Sequence, residues 1–105
     1  MIRVVLFEDN SDFIDSLREL IENADGMELA GVFTNCKNVV RNINQLKPDV
    51  VLMDIDMPIE NGLQGLRAIR ASGSQVTVLM LTVFDDNDRV FQSVCNGASG
   101  YLLKN

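Results

Sequence analysis

Five side chains in this sequence could do chemistry together if the fold brought them to one place. Glu8 and Asp9 follow the apolar run Val4–Phe7, and Asp54 follows Val50–Met53. Thr82 follows the run from Val76 to Leu81, and Lys104 follows Tyr101-Leu102-Leu103. The sequence contains no histidine, and its two cysteines, Cys36 and Cys95, form no CxxC pair. Gathered carboxylates would therefore offer oxygen ligands alone, which select a hard cation. Mg²⁺ is the ion that keeps part of its water shell while taking one or two carboxylates and phosphate oxygens. Two carboxylates about 4 Å apart repel by roughly 4 kcal/mol at an effective dielectric near 20, so such a cluster calls for a cation. A carboxylate beside that cation can attack phosphorus and form an aspartyl phosphate. An ammonium and a hydroxyl nearby would neutralise and hydrogen-bond the phosphoryl oxygens. Each residue also has a plain explanation. Asp9 could cap a helix, Asp54 could close a strand, Thr82 could be a strand former, and Lys104 could be an exposed end. Their coincidence after four separate apolar runs is what favours a site.

The elements that would position them are legible from patterning. Val4–Phe7, Val50–Met53 and Val76–Leu81 are nearly solid apolar runs, as expected of strands covered on both faces of a parallel sheet. Met27–Phe33 and Gly100–Lys104 are weaker candidates. Between them, helical stripes recur. Phe13, Leu17, Leu20 and Ile21 form the first, with Asn10 or Ser11 as its cap and Gly26 after its end. Val39, Val40, Ile43 and Leu46 form the second, stopped by Lys47-Pro48. Leu63, Leu66 and Ile69 form the third, ending near Ser72-Gly73. Val90, Phe91, Val94, Cys95 and Ala98 form the fourth, capped by Asp85 or Asp86 and ended by Asn96-Gly97. The Met and Phe residues of these stripes, and both cysteines, read as core filler.

The order β-α-β-α-β-α-β-α-β predicts an α/β fold, a doubly wound parallel sheet with helices on both faces and right-handed crossovers. All strand carboxyl ends then share one edge, where ligands bind. The chain of 105 residues is one domain in length, and its 9 basic against 15 acidic residues give a net charge of −6. An acidic domain of this kind is a poor binder of nucleic acid or anionic membrane. The apolar run after Arg3 stops at Glu8, too short for a secretion signal, so a cytoplasmic location is expected.

The combined motifs resemble the receiver domains of two-component response regulators. The acidic pair Glu8-Asp9, the segment Asp54-Ile55-Asp56-Met57-Pro58 with Gly62, Leu81-Thr82, and Gly97-Ala98-Ser99-Gly100-Tyr101-Leu102-Leu103-Lys104 carry the resemblance. Leu81 to Asp86 with the Gly97–Lys104 segment is most similar to receivers that precede LuxR/NarL-type helix-turn-helix domains. The resemblance implies a flavodoxin-like five-stranded sheet of order 2-1-3-4-5. It implies Asp54 as phosphoacceptor, with Mg²⁺ held by Asp9, Asp54 and the backbone carbonyl of Asp56, and by Glu8 largely through water. Lys104 would pair with the phosphoryl group, Thr82 would move to hydrogen-bond it, and Tyr101 would rotate inward behind it. A partner histidine kinase would donate the phosphoryl group, and a transcriptional output would follow. The resemblance also implies a fifth amphipathic helix after Lys104, which this sequence lacks. The expectation is a truncated receiver domain over 1–105 without a DNA-binding domain. Its sheet would be covered on one side only by the first helix, leaving an apolar surface through which copies could associate.

Two other readings fit parts of the sequence. Asp54-Ile55-Asp56 after an apolar strand resembles the DxD of haloacid dehalogenase-like phosphatases, with Asp56 as general acid. Against it, the paired carboxylates precede the DxD, and no cap insertion is visible. The other reading is an interaction module that keeps the fold without being phosphorylated. The favoured reading is a switch that accepts and slowly loses one phosphoryl group, not a turnover enzyme.

Overall fold

The structure is a computed structural model that describes residues 1–83 and 87–104. Its strands are β1 (Ile2–Phe7), β2 (Met27–Phe33), β3 (Val50–Asp54), β4 (Thr77–Thr82) and β5 (Gly100–Leu103). Its helices are α1 (Ser11–Glu22), α2 (Val39–Leu46), α3 (Gly62–Ala71) and α4 (Asn87–Cys95). All pairings are parallel, and the sheet order is β2-β1-β3-β4-β5. The order reverses between β1 and β3, so their carboxyl ends flank the crevice where such sheets bind ligands.

The solid apolar runs are buried on both sides as their patterning requires. Val5, Phe7, Val51, Met53, Val78 and Met80 face α2 and α3, and are sealed by Val39, Ile43, Leu63, Leu66 and Ile69. Val4, Leu6, Leu52 and Leu81 face α1 and pack with Ile21, Phe13, Ile14 and Leu17. The α1 side is less fully covered by the described residues. A groove of about 320 Å³ runs there, lined among others by Ile2, Leu17, Leu20, Met27, Leu79 and Leu102. Leu20, expected in the core, is 68% exposed, because it lies along this groove and not under a neighbouring element.

The helix ends are fixed by local chemistry. Asn10 caps α1 by accepting from Phe13 N–H at 3.0 Å. Lys47 closes α2 in the left-handed region at φ 50°, just before Pro48. Asn61 and Gln64 form a reciprocal capping box at the start of α3. The expected α4 caps, Asp85 and Asp86, lie outside the described residues.

The α4 stripe departs from its sequence reading. Ser93 is the buried residue of this helix, whereas Phe91 and Val94 are exposed. Cys95 is exposed too, and only Cys36 of the two cysteines is core filler. Spacing alone could place these residues on one face, but it could not say that the helix would meet the sheet through its small polar side.

Candidate functional site

Parallel pairing places the ends of β1, β3, β4 and β5 side by side. Phe7 is opposite Met53, Asp54 is opposite Leu81, and Thr82 is opposite Leu103. The residues immediately after these positions therefore converge. Carboxylate oxygens of Glu8, Asp9 and Asp54 all lie within 4.8 Å of one another. Lys104 reaches into the same place from the end of β5. Its Nζ is 3.1 Å from Glu8 Oε1, 3.0 Å from Glu8 Oε2 and 3.5 Å from Asp54 Oδ2. The ammonium also lies over the Phe13 ring, 4.8 Å from its centroid, which adds a cation–π contact from α1.

Asp54 is held in place from two directions. Its Oδ1 accepts the Asp56 N–H at 3.3 Å, and its backbone carbonyl lies against Gly62 at the start of α3. A Cβ at position 62 would stand 2.1 Å from Asp54 O, so only glycine lets α3 begin this close to the reactive strand end. The Gly62 N–H in turn donates to Ile55 O at 2.9 Å. The loop between β3 and α3 closes through Ile59 at φ 69°, an unfavourable region for a β-branched residue.

The electrostatics are those of a pocket short of positive charge. Burial, and then the neighbouring Glu8, raise the Asp54 carboxyl from 3.8 to about 6, although Lys104 and the Asp56 N–H pull the other way. Burial alone would lower Lys104, but its bond to Glu8 and the charges of Asp54 and Glu8 hold the ammonium above its ordinary value. Glu8 is fully buried. Its Oε1 accepts from Lys104 and from the Asn10 N–H, while its Oε2 is near the ammonium but receives no hydrogen bond. One ammonium thus meets two of the three clustered carboxylates, Glu8 and Asp54, with a buried Glu8 oxygen left incompletely satisfied. This donor set fits a hard divalent cation.

The expected site residues are distributed as follows. Glu8, Asp9, Asp54 and Lys104 are together. Thr82 is buried at the adjoining strand end, and its hydroxyl donates to Val83 O at 3.4 Å. Tyr101 is half exposed, so it occupies an outward position in this structure. The Asp56 side chain points away to α4, where its Oδ1 meets Arg89 Nη2 at 2.5 Å. A general acid of the DxD kind would need to face the reactive carboxylate, so this geometry does not favour the phosphatase reading. The Arg89 contact was not anticipated from sequence, because nothing in the spacing of residues 56 and 89 pairs them.

Comparison with known proteins defines the class. Residues 4–105 match the response regulator receiver domain family, and the chain belongs to it. It is 36% identical over 104 residues to the transcriptional regulatory protein LnrK of Bacillus subtilis (strain 168), covering 99% of this chain and 47% of LnrK. Among solved structures, it superposes on a DNA-binding response regulator of the LuxR family from Staphylococcus aureus with a TM-score of 0.90 at 26% identity, covering 99% of this chain and 87% of that one. The BeF3-activated receiver domain of Klebsiella pneumoniae RstA gives a TM-score of 0.88 at 28% identity, covering 98% of this chain and 86% of that one. The chain spans about half the length of the curated relatives it matches. Receiver domains of this kind are phosphorylated on an aspartate, and they bind Mg²⁺ at an acidic pocket.

Proposed function

We propose that Asp54 is the phosphoacceptor of this chain, and that its phosphorylation by a partner histidine kinase switches the domain between two conformations. The observation that carries the reading is the convergence of Asp54, Asp9, Glu8 and Lys104 at one sheet edge. An Asp54 carboxylate oxygen attacks the phosphorus of a phosphohistidine or of a small acyl phosphate. The P–N or P–O bond to the donor breaks, and the leaving group departs with that electron pair. Burial, and then Glu8, make this carboxylate more basic than an ordinary aspartate in the metal-free site.

Lys104 is already within ion-pair distance of Asp54, so its ammonium can follow the negative charge onto the phosphoryl oxygens. Asp9, Asp54 and the Asp56 carbonyl would hold the Mg²⁺. Glu8, expected to act through water, contributes mainly by holding Lys104. A bound Mg²⁺ supplies neutralisation of the incoming phosphoryl oxygens. Phosphorylation adds charge and strong acceptors, favouring the conformer in which Thr82 turns its hydroxyl inward. Tyr101, half exposed in this structure, would follow by rotating inward. The domain carries one phosphoryl group per switch and is not a turnover enzyme.

The output is transcriptional control by a longer protein in the cytoplasm. The relatives named as transcriptional regulatory proteins support this, and the net charge of −6 fits DNA contact by other segments. Incubation with acetyl phosphate, with and without Mg²⁺, tests the reaction by intact mass. One added phosphoryl group, dependent on Mg²⁺ and lost in Asp54→Ala, is expected. Equal labelling of Asp54→Ala would overturn the assignment.

A further inference from the structure

Helix α4 is fastened to its surroundings largely through polar contacts. Ser93 is its buried residue, and its apolar Phe91 and Val94 face outward. Just beyond its C-terminal end, Asn96 Oδ1 accepts from Arg67 Nε at 3.0 Å, and Gly97 O accepts from Arg70 Nε at 2.8 Å. Arg70 also donates to Ser74 O and Val76 O, so that end is tied to α3 and to the approach to β4. Nearer the N-terminal end, Arg89 reaches the loop after β3 and meets Asp56 Oδ1 at 2.5 Å. The same residue's N–H donates to Asp54 Oδ1. Asp56 therefore touches the reactive carboxylate with its backbone and α4 with its side chain.

We propose that the Asp56–Arg89 ion pair is a latch, through which Arg89 positions the loop after Asp54 and the state of Asp54 reaches α4. The inference rests on the reading of Asp54 as phosphoacceptor. Arg89 is a positioning residue, acting on the reaction through Asp56. Its positive charge holds the Asp56 carboxylate outside a pocket that already contains three acidic groups. When charge is added at Asp54, the N–H of Asp56 and the carboxylate on the same residue respond together. The end of α4 tied to α3 stays fixed while the Arg89 end responds through the Asp56 contact.

Amide hydrogen exchange in α4 tests the latch. Without any donor, Arg89→Gln and Asp56→Asn are each expected to speed exchange across Asn87–Cys95 by about two- to five-fold, as loss of a partly exposed ion pair allows. The double variant should exchange no faster than Arg89→Gln alone, and Arg89→Lys should remain close to the parent. With acetyl phosphate and Mg²⁺, normalised to the phosphorylated fraction by intact mass, the parent should show altered α4 exchange and Arg89→Gln should not. Unchanged exchange in Asp56→Asn, or additive effects in the double variant, overturns the latch. A normal phosphorylation response of α4 in Arg89→Gln overturns it as well. If the parent takes up no phosphoryl group at all, the phosphoacceptor reading fails instead, and the donor-free comparison still decides whether the ion pair holds the helix.

Discussion

Replacing Asp54 with asparagine should stabilise the protein at neutral pH. Asp54 is 4% exposed, and its carboxyl is raised from 3.8 to about 6, by burial first and by Glu8 second. A group with a higher pKa in the folded than in the unfolded state binds more protons when folded, so stability falls as pH rises between the two values. Below the unfolded value the carboxyl is neutral in both states, and the penalty is absent. Above the folded value the penalty is complete. A shift of roughly two units at about 1.4 kcal/mol each makes it about 3 kcal/mol. Asparagine carries no charge and escapes this cost. Its amide nitrogen would meet Lys104 Nζ, which is 3.5 Å from Asp54 Oδ2, and that donor-to-donor contact takes back about 1 kcal/mol. Lys104 keeps its contacts with Glu8 in either case. The expected net gain is about 2 kcal/mol at pH 7.5, turning into a small loss at pH 4, where the charge penalty has nearly gone and the donor-to-donor contact remains. Urea unfolding of parent and variant at both pH values, with divalent cations chelated, measures it. A variant no more stable than the parent at pH 7.5, or a gain that persists undiminished at pH 4, would refute the electrostatic account of the site.

Other outcomes follow from single positions. Gly62→Ala should destabilise by at least about 2 kcal/mol in urea unfolding, despite alanine's better helix propensity, because its Cβ collides with the Asp54 carbonyl; a neutral or stabilising effect would contradict the close packing of α3 on β3. Ile59→Gly should stabilise by about 1 kcal/mol in the same assay, since Ile59 is exposed and holds a positive φ; destabilisation would show that its side chain makes a contact that outweighs the strain. Cys95 should react quickly with a thiol reagent in the folded protein. Cys36, buried and pushed up to about 12 by burial and then by Glu60, should react only on unfolding; two equivalents reacting at once would contradict the packing.

Much of this architecture was legible because its signals are local. Solid apolar runs identified β1, β3 and β4, and the stripe Leu63, Leu66, Ile69 identified a helix whose three residues are all buried. The parallel arrangement then predicted that Glu8, Asp9, Asp54 and Lys104 would meet. Strand order was less accessible, since periodicity does not say which strand is whose neighbour; it came from the motif resemblance. The errors lie where one pattern fits two packings. Phe91, Val94 and Cys95 share helical spacing with core residues, yet α4 turns Ser93 inward. Leu20 completes the α1 stripe but borders an open groove. The direct hold of Glu8 on Lys104 and the reach of Arg89 to Asp56 depend on tertiary geometry at long sequence separation, which spacing does not encode.

The most direct test of the central claim is to trap the phosphorylated residue. After treatment with acetyl phosphate and Mg²⁺, borohydride reduces an aspartyl phosphate to homoserine, which peptide mass mapping can locate. Homoserine at position 54, absent when Mg²⁺ is withheld, is the predicted result. Homoserine at another position, or none in folded protein, would contradict it.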